Sequence, residues 1–229
     1  DGIRDKLVTG VQTCALPIYF EAVSFSAEDR LRVASQAAET ARVEARSRYT
    51  DVGDYLASLE MIFDARPFDP LGVQRIAQLV NKSNQFNLTT RRTSAAEIAA
   101  LAGDADAVGV QARLSDRFGD FGMISVVVCR RRQASEWDVD CWVMSCRVLG
   151  RRVEEAMLRA VVERLREKGA RRLTARYVAS GRNGLVAEHY DKLGFQRLKS
   201  EETERIYTLD LDAWRSPELP LVINPAARS

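Results

Sequence analysis

The sequence predicts an α/β domain whose mixed, mostly antiparallel central sheet is flanked by helices. Three observations lead there. Strand candidates at 107–114, 121–130 and 136–144 arrive in succession, and the turns Asp116-Arg-Phe-Gly119 and 131–135 make them an antiparallel meander. The last of them runs through a short loop into a long amphipathic helix. Past that helix, 172–178 alternates as a strand and a loop, a helix and two more strands follow.

Composition bounds the answer. With 229 residues, 46% hydrophobic and 29% charged, the chain has the make-up of a soluble globular protein with one sizeable core or one domain plus an appendage. Its 34 basic and 32 acidic residues leave a formal charge of +2, which offers no case for a nucleic-acid or membrane partner. The basic run Arg130-Arg131-Arg132 reads as loop surface in preference to a ligand patch. No window approaches the roughly 18 apolar residues that a membrane span needs. Cys14, Cys129, Cys141 and Cys146 lack zinc spacing, no secretory segment is visible, and reduced thiols in a cytoplasmic protein are expected. No metal site is expected, since Asp138 and Asp140 share a strand face without a further ligand set.

Taken in order, residues 1–18 fit neither a signal peptide nor a good helix. The run Val8-Thr-Gly-Val-Gln-Thr-Cys-Ala-Leu-Pro-Ile18 resembles translated sequencing adapter, so 1–18 is excluded from function and expected to be disordered or opportunistically packed. Residues 19–57 are helix-rich, with a capping pattern at Ser26 and a thin apolar face suited to packing against another domain. The main domain spans 58–211. It opens with a strand at 61–66, a helix over 70–84 and a short Ala-rich helix capped near Ser94 before the meander. The long helix carries Val153, Met157, Leu158, Val161, Val162 and Leu165 at helical spacing, and Gly169 stops it. A helix over 185–193 ends at Gly194. The tail, 212–229, is expected to fray from Pro217.

The corner between the third strand and the long helix is the candidate site. Amides at a helix start have no internal partners, so Arg147, Val148, Leu149, Gly150, Arg151 and Arg152 form a corner suited to a phosphate or pyrophosphate. A purely structural turn is the competing account. Coenzyme A, or the phosphopantetheine arm of a carrier protein, suits such a corner, with the amide-bearing arm paired to the backbone of 136–144. Asn183 either caps the following helix or hydrogen-bonds a cofactor amide. Tyr190 either donates a proton to a leaving thiolate or anchors that helix against Phe195. His189, adjacent to Tyr190, is expected on another face. Asn84, Gln85, Asn87, Thr90 and Arg91 belong to a dense polar cluster that lines an acceptor or glyceryl cleft, or else braces its own loop.

Two nested resemblances rest on these residues. Arg147-Val-Leu-Gly-Arg-Arg152 resembles the pyrophosphate motif of the GNAT acyltransferases, Gln/Arg-x-x-Gly-x-Gly/Ala. Asn183-Gly-Leu-Val-Ala-Glu-His-Tyr-Asp-Lys-Leu-Gly-Phe195 resembles their later segment, in which Tyr190 matches the tyrosine assigned as general acid. Arg152 departs from the small residue of the pattern, in a place where its side chain crowds or replaces contacts to a pyrophosphate. More narrowly, Arg75-Ile-Ala-Gln-Leu-Val-Asn-Lys-Ser-Asn-Gln-Phe-Asn-Leu-Thr-Thr-Arg-Arg92 and Trp142-Val-Met-Ser-Cys-Arg-Val-Leu-Gly-Arg151 resemble the C-terminal half of FkbH-like (HAD-IIIC) proteins, over about residues 19–211.

The resemblance implies a GNAT-like acyltransferase fold, a coenzyme A or phosphopantetheine cofactor, and an acyl carrier protein as partner in polyketide-type biosynthesis. It also implies an N-terminal HAD domain whose Asp-x-Asp-x-Thr/Val motif is not found in this sequence, with 19–57 as the remnant of that junction. HAD phosphoryl chemistry, its Mg²⁺ site and its acyl-accepting cysteine therefore carry over to no residue here. The alternatives are a catalytically silent carrier-docking module and a stand-alone N-acetyltransferase.

Overall fold

The computed structural model describes residues 27–224, with side chains from Val33 onward. Ser26 and the adapter-like run lie outside the described residues. Helix α1 (Ala27–Arg46) is followed by α2 (Val52–Ser58), whose Asp51 cap accepts the Asp54 N–H at 3.0 Å. Strand β1 (Met61–Pro67) leads to α3 (Val73–Lys82) and α4 (Ala95–Leu101), the latter opened by a reciprocal capping box between Ser94 and Glu97. The meander is β2 (Ala107–Asp116), β3 (Gly119–Gln133) and β4 (Glu136–Met144). A single 3-10 turn, Cys146–Val148, then leads to α5 (Val153–Glu167) and β5 (Arg172–Val178). The chain ends with α6 (His189–Lys192), β6 (Gln196–Ser200), β7 (Glu204–Asp210) and β8 (Leu221–Ile223).

The strands form one eight-stranded sheet in the order β6-β7-β5-β4-β3-β2-β1-β8. It is antiparallel except where β4 meets β5 and β1 meets β8. Two apolar clusters lie on its opposite faces. Val153, Met157, Val161 and Leu165 of α5 join Leu56, Leu59, Trp142 and Tyr190 in one; Ile76, Ala77, Val80, Ile98 and Leu101 join Val126 and Val143 in the other. Trp142 and Val143 are consecutive, so the strand alternation of β4 places them in different clusters. Each large side chain fully buried this way stabilises the fold by about 1.5–3 kcal/mol.

The structure differs from the sequence expectation in two elements. The tail does not simply fray, because Leu221–Ile223 pairs in parallel with Met61, Ile62 and Phe63 and so covers the edge of β1. The helix expected over 185–193 is broken into a 3-10 turn, Gly184–Val186, and the four residues of α6. That break decides where His189 and Tyr190 point.

Candidate functional site

The site begins where β4 and β5 separate. They share only three register pairs, Glu136 with Arg172, Trp137 with Leu173 and Asp138 with Thr174. Beyond Asp138 the two parallel strands diverge, and segment 86–88 fills the gap. Leu88 N–H donates to Trp142 O at 3.2 Å, Met144 N–H donates to Phe86 O at 3.2 Å, and Val178 N–H donates to Leu88 O at 2.8 Å. The far margin of β4, expected to be free for a bound arm, is therefore already paired by the chain itself.

Asn183 secures the insert. Fully buried, it donates from Nδ2 to Asn87 O and to Val178 O, both at 2.9 Å, while its Oδ1 accepts the Ser180 N–H at 2.8 Å and the Tyr177 hydroxyl at 3.2 Å. Neither expected role, helix cap or free ligand donor, describes it: its side-chain cap bond to the 3-10 turn is missing and its donors are spent on the protein. The polar cluster before it is mainly a self-braced loop. Arg92 Nη1 donates to Val80 O at 3.1 Å, Asn87 Nδ2 donates to Arg91 O at 3.2 Å, and Arg91 is ion-paired with Asp140. Thr90 adopts a left-handed φ of 57° in this loop. Asn84 and Gln85 do line a cleft, of about 700 Å³, together with Lys82, Ser145, Cys146 and Arg182.

At the corner, Gly150 takes a φ of 74°, and nothing lies within 4 Å of where its Cβ would stand. Arg152 is also left-handed, at φ 61°, in the place where the resembled motif has a small residue, and its Nε pairs with Glu155 at 3.0 Å. A hollow of about 340 Å³ opens beside them, lined by Phe86, Leu149, Glu154, Leu185, His189 and Lys192 among others. The other two arginines turn away from it. Arg147 Nη2 donates to Phe121 O at 3.1 Å. Arg151 is buried over the Phe121 ring with Nη1 3.8 Å from Asp116, which also takes Nε and Nη2 of Arg42 at 2.7 and 2.9 Å. Val148 is core. An anion at this corner thus meets Gly150, the free amides of the first turn of α5, Arg152 and Lys192. The Glu154 side chain lines the same hollow. Burial holds its pKa above the ordinary value, although the nearby Gly150 and Glu154 amides favour the charged form.

Tyr190 requires a correction. It is 1% exposed, its hydroxyl has no partner, it lines neither hollow, and it packs on Phe195 and Tyr207 at ring distances of 5.0 and 5.2 Å. Burial drives its pKa well above that of a free phenol, so in this conformation it is an anchoring aromatic with no open path to a leaving group. The residue that reaches the hollow is His189. Its ring stands 4.9 Å from Phe86 and 4.6 Å from Trp142, with Nε2 buried and unpartnered. Burial, reinforced by Lys192, lowers its pKa to about 3 and keeps the imidazole neutral.

Among the described residues the three thiols are free. Burial pushes Cys141 up to about 12 and Cys129 also upward, while Cys146 is exposed. Among the described residues no group of His, Cys, Asp or Glu is arranged to hold a metal ion, and no helix is long and apolar enough to cross a membrane.

This architecture is the GNAT acetyltransferase fold. The GNAT domain of S. lividans PAT superposes with a TM-score of 0.50 at 20% identity, covering 64% of this chain and 89% of its own. A Desulfovibrio desulfuricans protein assigned to the GNAT family as an acetyltransferase gives 0.50 at 17% identity, over 65% and 99% of the two chains. A domain from Methanocaldococcus jannaschii gives 0.50 at 14% identity, over 65% and 97%. No protein-family profile matches the sequence, and no curated protein matches it significantly.

Proposed function

We propose that this domain binds the phosphopantetheine thioester of coenzyme A or of an acyl carrier protein and serves acyl transfer from it. The observation that carries the proposal is the conjunction of a split between β4 and β5 with a hollow rimmed by Gly150, Arg152 and the start of α5. The amides of the first turn and the two cations meet the phosphates, and the arm extends through the hollow toward Phe86. The acyl group then lies near Phe86, with the cleft of Asn84 and Gln85 beyond as the acceptor side. In the FkbH-like setting the acyl group is a glyceryl unit, and the HAD domain supplies the phosphoryl chemistry.

A second role is favoured by a specific observation. Because Tyr190 is buried, the second reading is a carrier-docking module that presents the thioester to another centre. Titration with acetyl coenzyme A and with acylated carrier protein, followed by a turnover assay, separates the two. Binding with thioester turnover supports transfer; binding without turnover supports docking; binding of neither ligand overturns both. Because the corner works through backbone and Arg152, Arg152→Ala should weaken binding roughly tenfold and Arg147→Ala less than about twofold.

A further inference from the structure

Segment 86–88 does chemically what an extended amide chain would do in the same gap. It satisfies the Met144 N–H, the Trp142 carbonyl and the Val178 N–H, three backbone groups that the divergence of β4 from β5 would otherwise leave bare. At the other end of the site the Glu154 side chain lines the hollow beside Gly150, where a phosphate would stand. Phe86 is a shared wall of the hollow beside Gly150 and the cleft beside Asn84, so it separates donor side from acceptor side.

Behind Phe86 lies an unusual concentration of unsatisfied polarity. Trp142 Nε1, His189 Nε2 and Tyr190 Oη are all buried without a hydrogen-bond partner, as is Asn87 Oδ1 on the insert itself. The three rings are mutual neighbours, with Trp142 to His189 at 4.6 Å and His189 to Tyr190 at 5.3 Å. An orphaned buried polar group is costly, and a cluster of them calls for a further occupant.

We propose that segment 86–88 is a resident stand-in for the pantetheine arm, and that its withdrawal joins the two hollows into one channel lined by Trp142, His189 and Tyr190. The ligand of that channel is an extended, amide-bearing acyl thioester. Its amides take over the bonds to Trp142 and Met144, and its acyl carbonyl meets the neutral His189 and the Trp142 N–H. The inference rests on the carrier-binding role proposed above, which it completes by naming what must move first. Asn183 is the clasp, since it holds the insert through Asn87 O.

The test is to lock the insert. Asn87 and Val143 face each other across an antiparallel bridge, flanked by the bonds from Leu88 to Trp142 and from Met144 to Phe86. That makes them a non-hydrogen-bonded pair with Cα atoms about 4.5 Å apart, within reach of a disulfide. The double variant Asn87→Cys with Val143→Cys, in a Cys14→Ser, Cys146→Ser background, is titrated with acetyl coenzyme A in its oxidised and reduced forms. The expected result is at least a tenfold weaker affinity when oxidised, restored by reduction to that of the background. Equal affinity in the two forms overturns the inference and leaves the carrier-binding role standing. Absence of binding to the oxidised, reduced and background proteins alike overturns both.

Discussion

The Nδ2 of Asn183 donates to the carbonyl oxygen of Asn87 at 2.9 Å, joining two polar segments 96 positions apart. Both flank the divergence of β4 from β5, so a single side chain holds the insert against the strand on the other side. Replacing Asn183 with Ala removes two donated and two accepted bonds in a buried place. The loss should be about 2–4 kcal/mol in urea unfolding, with amide exchange accelerated first at Val178 and Leu88. A loss below about 0.5 kcal/mol would show that the clasp does not hold the insert.

Glu154 should compete with an anionic ligand for the Gly150 corner. Glu154→Gln, which keeps the shape and removes the charge, is expected to tighten acetyl coenzyme A binding by about tenfold at pH 7.5. Burial raises the folded pKa above the ordinary 4.5, so folding favours the protonated acid. The wild type should therefore lose stability relative to Glu154→Gln as pH rises through the interval above 4.5, and its ligand affinity should improve as pH falls through it. Calorimetric titration at several pH values checks both signs.

His189 is the only histidine in the chain, so its titration can be followed without assignment. Its folded pKa, lowered to about 3 from an ordinary 6.5, means the unfolded chain takes up the proton first. Stability associated with the neutral ring is complete above pH 6.5 and falls on acidification toward pH 3, by an amount on the order of a few kcal/mol. His189→Phe should flatten that slope, as read by urea unfolding at pH 7.5 and pH 5. An imidazole NMR signal that titrates near 6.5 in the folded protein would contradict the burial argument.

The carboxylate of Asp116 is fully buried between Arg42 and Arg151 and also accepts the Phe118 and Gly119 amides, both at 3.0 Å. Asp116→Ala leaves Arg151 buried without a counter-charge and Arg42 with Glu39 alone. Destabilisation of about 3–5 kcal/mol is expected, with the contact between α1 and the end of β2 the first to loosen.

Most of the sheet was legible in the sequence because its strands alternate or run apolar between clear turns; β4 and β5 fall on the expected residues. The three residues of β8 carry no periodic signal and lie among prolines, so only their partner β1 makes them a strand. His189 was expected to point away from Tyr190 because a regular helix separates consecutive side chains. The break after Val186 removes that regularity, and both rings enter one aromatic cluster. The insert did leave a trace: Phe86, Asn87 and Leu88 alternate apolar and polar with the period of a strand. What no local pattern could convey is that its partners are β4 and β5, fifty and ninety positions on. The corner was recognisable by Gly150, whereas the turn of Arg147 and Arg151 away from the hollow depends on Phe121 and Asp116, supplied by the meander.

The brevity of the junction between β4 and β5 has a mechanical consequence. Strands β1 to β4 with β8 make one leaf and β5 to β7 the other, bound along a spine of three residues and stitched at the open margin by 86–88. Helix α5 lies against β1 and β2 and so belongs to the first leaf. The two leaves nevertheless share one apolar core, in which α5 and Trp142 cluster with Leu173, Tyr177 and Tyr207, and Arg166 of α5 donates to Leu211 O at 2.9 Å, so cutting the stitch bares the β4 margin without freeing the second leaf. Access to the β4 margin therefore hangs on one short thread, while the cohesion of the two leaves lies in the core beneath the sheet.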